Sequence, residues 1–213
     1  MRNGQSAGPH PAQVGWDEYY KANPLEQVPW YTDRIDDDFA SLLEKHAKGL
    51  RTVLDLGTGP GTAAIYLARA GFLVTATDIS PTAIEIAKSR AGEASAQITW
   101  MVDDIVRSEI KGKFDMIHDR GCFHILKPTL RARYVDQVTR LLHRGGLLFI
   151  KTFSKREPGD WGPNRFDVDE LQSYFRPGFA LLASSEVDFP STFERQPAGL
   201  IAVFRLEPSP QSP

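Results

Sequence analysis

The sequence predicts an α/β protein built on a mostly parallel sheet with helices on both faces. Strand-like and helix-like stretches alternate along the chain, the pattern of successive βαβ units. An apolar strand, Arg51–Leu56, enters a glycine-rich turn that leads into a helix of small residues. Two closing strands, around Phe179–Phe189 and Gly199–Leu206, have no helix between them and predict an antiparallel hairpin at one edge.

Local signals set each element. Asp36-Asp37-Asp38 precede Phe39, Leu42, Leu43 and His46, which share one helical face, and Gly49 supplies the stop. Acids at that N-terminus suit both capping and the helix dipole. After Arg51–Leu56, the residues Ala63, Ala64, Ile65, Leu67 and Ala68 form a helix ending near Gly71. Phe72–Thr77 is a β-branched strand ending in Asp78. Ser80-Pro81 places an N-cap before a proline at the first helical position, opening a helix through Ile84, Ile86 and Ala87. Ile98–Val102 and Phe114–His118 read as strands. Thr129–His143 reads as a helix burying Leu130, Tyr134, Val138, Leu141 and Leu142, and Gly145-Gly146 breaks it before the strand Leu147–Phe153. A short helix follows near Asp167–Phe175.

The chain has 213 residues, 41% of them apolar and 24% charged, which excludes disorder throughout. Residues 15–206 are expected to form one domain, with 15–50 as an N-terminal lid and helix. Segments 1–14 and 207–213 are polar, rich in Gly or Pro, and expected to be flexible. A formal charge of -2 creates no global field for a polyanion, so a nucleic-acid partner is not expected. One cysteine excludes an intramolecular disulfide and points to a reducing compartment. Apolar runs such as Gly146–Ile150 fall far short of the ~20 residues of a membrane span, and the N-terminus lacks an apolar signal core. A cytoplasmic location without membrane contact is the expectation. His118, Cys122 and His124 alternate as metal ligands might, but no second cluster completes a site, and no metal is assigned.

In open α/β sheets ligands bind beyond the carboxyl ends of the strands. There stands Val53-Leu54-Asp55-Leu56-Gly57-Thr58-Gly59-Pro60-Gly61-Thr62. A dinucleotide fingerprint needs its third glycine where Thr62 stands, and Asp55 opposes a pyrophosphate while suiting a cation. No G-x-x-x-x-G-K-[ST] occurs. Nor does Tyr-x-x-x-Lys: Tyr31, Tyr66, Tyr134 and Tyr174 are followed at that offset by Ile35, Ala70, Val138 and Gly178, which disfavours an NAD-dependent reductase.

The acid followed by alternating glycines resembles the first motif of class I S-adenosylmethionine (SAM)-dependent methyltransferases, over roughly Arg51 to Phe153. The resemblance implies a Rossmann-like, seven-stranded sheet with the final strand antiparallel, and SAM as cofactor. It implies donor contacts from Asp55 and the turn Gly57, Thr58, Gly59 and Gly61. Asp78 would take the ribose hydroxyls and Ile79 would flank the adenine. Asp103 or, preferably, Asp104 would take the adenine amine, with Ile105 giving apolar contact or a backbone N–H. The backbone carbonyl at the end of the fourth strand, near Asp119, would take the methionine amino group.

The acceptor side is expected in Asp119-Arg120-Gly121-Cys122-Phe123-His124, where the [DN]-P-P-[YF] of nucleic-acid N-methyltransferases is missing. Asp119 is a candidate to orient or deprotonate an acceptor, Arg120 to attract an anion and His124 to act as base. Cys122 suits a small buried hydrophobe better than a nucleophile. Trp16, Tyr19, Tyr20, Pro29, Trp30 and Tyr31 are either core or a lid, and Phe153–Phe166, with Trp161, is a second lid candidate. Trp16…Tyr20…Pro29-Trp30, the Asp119–His124 run and Gly162-Pro163…Phe166 together resemble thiopurine- and tellurite-type small-molecule methyltransferases. That implies a soft acceptor, most simply a thiol, with Trp30 closing the pocket and Tyr20 near the chemistry. A thiol already has a few per cent thiolate at neutral pH, so positioning suffices. The alternatives are O- or N-methylation of a small metabolite and a non-catalytic SAM-binding regulator.

Overall fold

The computed structural model describes residues 14–208. The segments expected to be flexible, 1–14 and 207–213, lie outside the described residues apart from Val14, Glu207 and Pro208. The helices are α1 (Trp16–Ala22), α2 (Asp37–His46), α3 (Thr62–Arg69), α4 (Pro81–Ala91), α5 (Cys122–Ile125), α6 (Pro128–Leu141) and α7 (Val168–Phe175). The strands are β1 (Thr52–Leu56), β2 (Leu73–Asp78), β3 (Ile98–Val102), β4 (Phe114–Arg120), β5 (Leu142–Ser154), β6 (Arg165–Phe166), β7 (Phe179–Asp188) and β8 (Ala198–Leu206).

One sheet runs β3-β2-β1-β4-β5-β8-β7, with the two-residue β6 paired to β5 off that path. Pairing is parallel from β3 through β5, and β8 is antiparallel to both β5 and β7. This is the expected mostly parallel sheet with an antiparallel edge. The order in which strands are added reverses between β1 and β4, which leaves a crevice at their carboxyl ends.

Alternation along the central strands divides the core. Leu54, Ile117, Leu148, Ile150, Ala202 and Phe204 point to one face, where Tyr134 and Val138 of α6 and Phe175 of α7 cover them. Val53, Met116, Phe149, Ile201 and Val203 point to the other, under Phe39 of α2 and Leu67 of α3. A third cluster of Tyr19, Tyr20, Val28 and Ala83 seats the N-terminal segment on α4.

Four local expectations are corrected. Residues 16–22 fold as a helix, where the sequence offered only a dense aromatic arm. Gly145-Gly146 does not end a helix: α6 stops at Leu141 and the glycines lie inside β5, where the register against β4 shifts between Phe114 and Met116. Gly146 has no room for a side chain there, since a Cβ would meet the His143 carbonyl at 2.8 Å. Asp36 occupies the N-cap position of α2 without making a side-chain cap bond, because its carboxylate is drawn into the sheet. Strand β4 also runs past His118 to Arg120, so Asp119 and Arg120 belong to the strand. By contrast Ser80 caps α4 as expected, its hydroxyl accepting from the Ala83 amide at 3.0 Å. No helix of the described residues is long and apolar enough to cross a membrane.

Gly61 fixes how closely α3 and α4 approach. Its φ is +81°, and an added Cβ would lie 2.8 Å from the Ala87 Cβ and 3.1 Å from the Trp100 ring. Gly61→Ala should therefore cost about 2–4 kcal/mol, combining left-handed strain with overpacking. Urea denaturation measures it, and a loss below about 1 kcal/mol would contradict this packing.

Candidate functional site

The crevice is floored by the turn between β1 and α3. The Thr58 amide donates to the Thr77 carbonyl at 2.8 Å, tying the turn to β2. Asp55 is buried, its Oδ2 accepting from the Thr58 hydroxyl at 2.6 Å and its Oδ1 lying 2.7 Å from His118 Nδ1. Gly59 brings the backbone against a side chain: a Cβ there would lie 2.9 Å from the Tyr20 hydroxyl.

At the end of β2, Asp78 accepts from the Gly59 and Ser80 amides, each at 2.9 Å. Burial outweighs those bonds and pushes its carboxyl up to about 6. Ile79 beside it is half exposed, an apolar surface facing outward at the crevice. At the end of β3 the two acids differ. Asp104 is occupied, accepting from the Val106 amide at 3.1 Å as the cap of the short 3-10 turn Ile105–Arg107. Asp103 keeps Oδ2 buried without a partner, and Ile105 is packed into the core under α6.

The N-terminal segment covers this floor. Helix α1 docks through Asp17, which accepts from the Ser80 hydroxyl at 2.8 Å and the Thr82 amide at 2.9 Å. The Lys21 ammonium and those donors hold the Asp17 carboxyl well below its ordinary range. Trp30 donates from Nε1 to the Tyr20 hydroxyl at 2.8 Å and packs 5.3 Å from Trp16 and 5.2 Å from Tyr19. Residues 29–36 then cross the crevice, strapped at several points. The Thr192 amide donates to the Pro29 carbonyl at 2.9 Å, and the Thr62 hydroxyl to the Thr32 carbonyl at 2.7 Å. Arg90 reaches the Pro60 carbonyl and lies 5.1 Å over the Tyr31 ring. Beneath the strap is a cleft of about 490 Å3, including its solvent-open mouth. Trp30, Arg34, Asp55, Gly57, His118 and Arg120 are among its walls. Arg34 is exposed and forms no ion pair or hydrogen bond among the described residues.

Sequence reading grouped the acceptor-side residues, and the strand alternation separates them. Asp119 points away from the cleft, into the α6 side of the sheet. Its carboxylate accepts from the Cys122 amide at 2.7 Å, the Phe123 amide at 3.0 Å and the Tyr134 hydroxyl at 2.6 Å. Burial nonetheless raises it to about 6. Arg120 points to the cleft side and is spent on protein: Nε to Asp36 at 2.8 Å, Nη1 to the Trp30 carbonyl at 3.3 Å, Nη2 to the Pro190 carbonyl at 2.6 Å. Its guanidinium lies 4.5 Å over Phe189. Asp36 also accepts from Lys151 at 2.7 Å, and Lys151, buried on β5, donates again to Asp38 at 2.7 Å. The two cations pull the Asp36 carboxyl down despite its burial.

His124 sits between aromatic rings, 5.2 Å from Phe153 and stacked at 5.4 Å on Phe189. Its Nδ1 accepts from the Phe153 amide at 3.0 Å. Burial, reinforced by the Arg120 charge, pulls the imidazole down to about 3. The Cys122 thiol and Tyr20 phenol are both pushed up by burial. Trp161 extends the aromatic wall, 5.7 Å from Phe153 and 5.7 Å from Phe193. The buried Glu157 pairs with Arg195 and accepts from the Ala198 amide at 2.7 Å, joining the loops that carry these rings.

Sequence reasoning weighed His118 only as a metal ligand and Asp36 only as a helix-start acid, and it missed Arg34, Lys151 and Phe189. The placement of His118 was within reach: Met116, His118 and Arg120 share one face of β4 by alternation, and His118 lies in register with Asp55.

Comparison with known proteins agrees with this fold. Residues 53–146 match a family model described as a methyltransferase domain. The chain is 30% identical over 165 residues to the 2-heptyl-1-hydroxyquinolin-4(1H)-one methyltransferase of Mycobacteroides abscessus, spanning 74% of this chain and 72% of that protein. It superposes with TM-score 0.79, at 23% identity and over 93% of its length and 94% of the other, on a structure solved for the conversion of a disulfide bond into a thioacetal group during echinomycin biosynthesis. A second neighbour is 1,6-didemethyltoxoflavin-N1-methyltransferase from Burkholderia thailandensis, holding its namesake and S-adenosylhomocysteine. Its TM-score is 0.66 at 24% identity, over 81% of this chain and 78% of that one.

The raised Asp78 gives a stability signature. Its folded pKa of about 6 exceeds the unfolded value of about 3.9, so the native state binds the proton more tightly. Its contribution is complete below about pH 4 and is lost as pH rises through about 6, up to about 3 kcal/mol in all. Melting curves from pH 4 to 7.5 should show the wild type losing stability relative to Asp78→Asn across that window. Parallel curves would contradict the assignment.

Proposed function

Because the chain belongs to the class I SAM-dependent methyltransferases, we propose that it methylates a small planar acceptor whose nucleophilic atom is already ionised on arrival, in the first instance an acidic hydroxyl on a heteroaromatic ring. The observation that carries this is that His124 and Asp119, the two acceptor-side candidates for a base, are both unavailable to take a proton. His124, at about 3, is too weak to take a proton from an ordinary hydroxyl. Against a phenol of pKa about 10 the transfer would be uphill by roughly 9 kcal/mol. Asp119 is turned away and filled by three donors. An acceptor that ionises by itself needs neither.

The cofactor fits the residues present. Asp78 offers a buried carboxylate for the ribose hydroxyls. The unpartnered Asp103 Oδ2 beside the exposed Ile79 suits the adenine amine better than the occupied Asp104. Asp55, Gly57, Thr58 and Gly59 floor the methionine end, and the unpaired Arg34 suits its carboxylate. When bound, SAM supplies an activated methyl group on a sulfonium. The protein then has to align the acceptor and exclude water. Trp30 and Tyr20 close the donor side, and Phe153, Phe189 and His124, with Phe153 set edge-on to the other two rings, form an aromatic wall for a ring. Arg120 holds that wall to the strap through the Pro190 and Trp30 carbonyls.

The relative's named acceptor is a bicyclic heteroaromatic bearing an N-hydroxyl, which supports the hydroxyl reading. A thiol acceptor is the second reading, favoured by the same lack of a base, since a thiolate also arrives ionised. The discriminating experiment measures S-adenosylhomocysteine release with 1-hydroxyquinolones, acidic phenols, aromatic thiols and alkyl amines. The N-hydroxy heteroaromatics are expected to turn over fastest. Exclusive turnover of thiols would select the second reading, and turnover of unactivated alcohols would sink both.

A mutation tests the missing base. Asn at position 124 keeps an acceptor for the Phe153 amide while removing the imidazole. His124→Asn should lower kcat less than about 10-fold, whereas loss of a general base costs about 10²–10⁴. The pH–rate profile should follow the pKa of the acceptor used.

A further inference from the structure

We propose that His118 is a donor-binding residue whose Nε2 accepts a hydrogen bond from the α-ammonium group of the bound cofactor, selecting the zwitterionic amino-acid head. The inference rests on the methyltransferase reading and adds to it a residue outside the glycine turn. His118 is buried on β4, directly in register with Asp55 on β1, so both side chains leave the sheet on one face at the floor of the cleft. Its ring is pinned by Phe39, 4.2 Å away, and by the 2.7 Å contact from Nδ1 to Asp55 Oδ1. A carboxylate oxygen only accepts, so the proton of that contact sits on Nδ1, and in the neutral ring the lone pair then lies on Nε2.

Nε2 has no hydrogen-bond partner among the described residues, and it is not one of the sealed polar atoms that lack one. His118 itself lines the cleft that the Gly57–Gly59 turn and Trp30 also line. An acceptor in that position faces a donor, and the donor-rich part of the cofactor is its ammonium. The unpaired guanidinium on the same cleft, Arg34, offers the complementary charge for the carboxylate. An acceptor floor and a cationic rim together read a zwitterion.

The test uses calorimetry with three ligands that share the thioadenosine. S-adenosylhomocysteine carries ammonium and carboxylate, its deaminated analogue carries only the carboxylate, and 5′-methylthioadenosine carries neither. In His118→Asn the amide nitrogen replaces Nδ1 and keeps the donor to Asp55, while nothing replaces Nε2. The substitution should weaken S-adenosylhomocysteine about 10-fold or more, the scale of one charge-assisted bond. The other two ligands should stay within twofold of wild type, and His118→Gln, whose amide reaches the Nε2 position, should recover part of the loss. An unchanged S-adenosylhomocysteine affinity, or an equal loss for all three ligands, would overturn the assignment. So would a loss shared by the deaminated analogue, which would place the contact at the carboxylate. Wild-type protein that binds none of the three would instead remove the underlying methyltransferase reading.

Discussion

Side chains leave a strand alternately to its two faces, and at the carboxyl ends of β1, β4 and β5 that constraint sorts charge from hydrocarbon. Leu54, Leu56, Ile117 and Ile150 turn toward α6 and α7 and complete an apolar core. Their neighbours Asp55, His118, Arg120 and Lys151 turn toward the cleft and the start of α2. A slip of one residue in any of these strands would bury the charges under α6 and expose the leucines, so the register is strongly specified. Asp119 is the exception on the apolar side. It is satisfied there by two amides of α5 and the Tyr134 hydroxyl, which makes it the fastener of the strand–helix turn.

Placing four charged groups around the start of α2 has an energetic consequence. Asp36 and Lys151 are almost wholly removed from water, and such a pair gains little over apolar residues of the same volume. Breaking it from one side leaves a buried charge, at a cost of several kcal/mol. The arrangement therefore contributes placement more than stability. Asp36 belongs to the strap over the cleft, Lys151 to the centre of the sheet, and Arg120 links both to the Pro190 loop behind the aromatic wall. One ionic knot thus fixes the strap relative to the aromatic rings around Phe189, the alignment that the proposed in-line displacement needs.

Much of this was legible in the sequence because it is local. The Ser80-Pro81 cap, the alternation of Leu73–Asp78 and the glycine turn each declare themselves within a few residues. Helix α1 did not, since its seven residues are too few for a periodic signal and its stability comes from docking Asp17 and Tyr20 onto α4 and the turn. The double glycine after α6 misled because Gly is a common helix stop, while here it serves a register shift against β4. In the site, the residue types were legible and their directions were not. Asp119, Arg120 and His124 look like one catalytic group in a linear string. Strand alternation points the first two to opposite faces, and the short α5 carries His124 into an aromatic stack.

The cleft's charge pattern explains why a SAM-type nucleoside fits where a dinucleotide does not. Asp55 lies at the glycine turn, where a pyrophosphate would place negative charge. At about 4 Å and an effective dielectric near 20, such a like-charged pair costs on the order of 4 kcal/mol. The turn offers less in return than its glycines suggest, since one of its amides, Gly59 N–H, already donates to Asp78. A sulfonium and an ammonium reverse the sign of the same terms. The acid that disfavours one nucleotide class thus favours the other, and the exposed Arg34 of the cleft carries the charge opposite to the carboxylate left over. On the proposed binding mode, the cleft reads its donor by the order of charges along the ligand, positive inside and negative at the mouth, as well as by its shape.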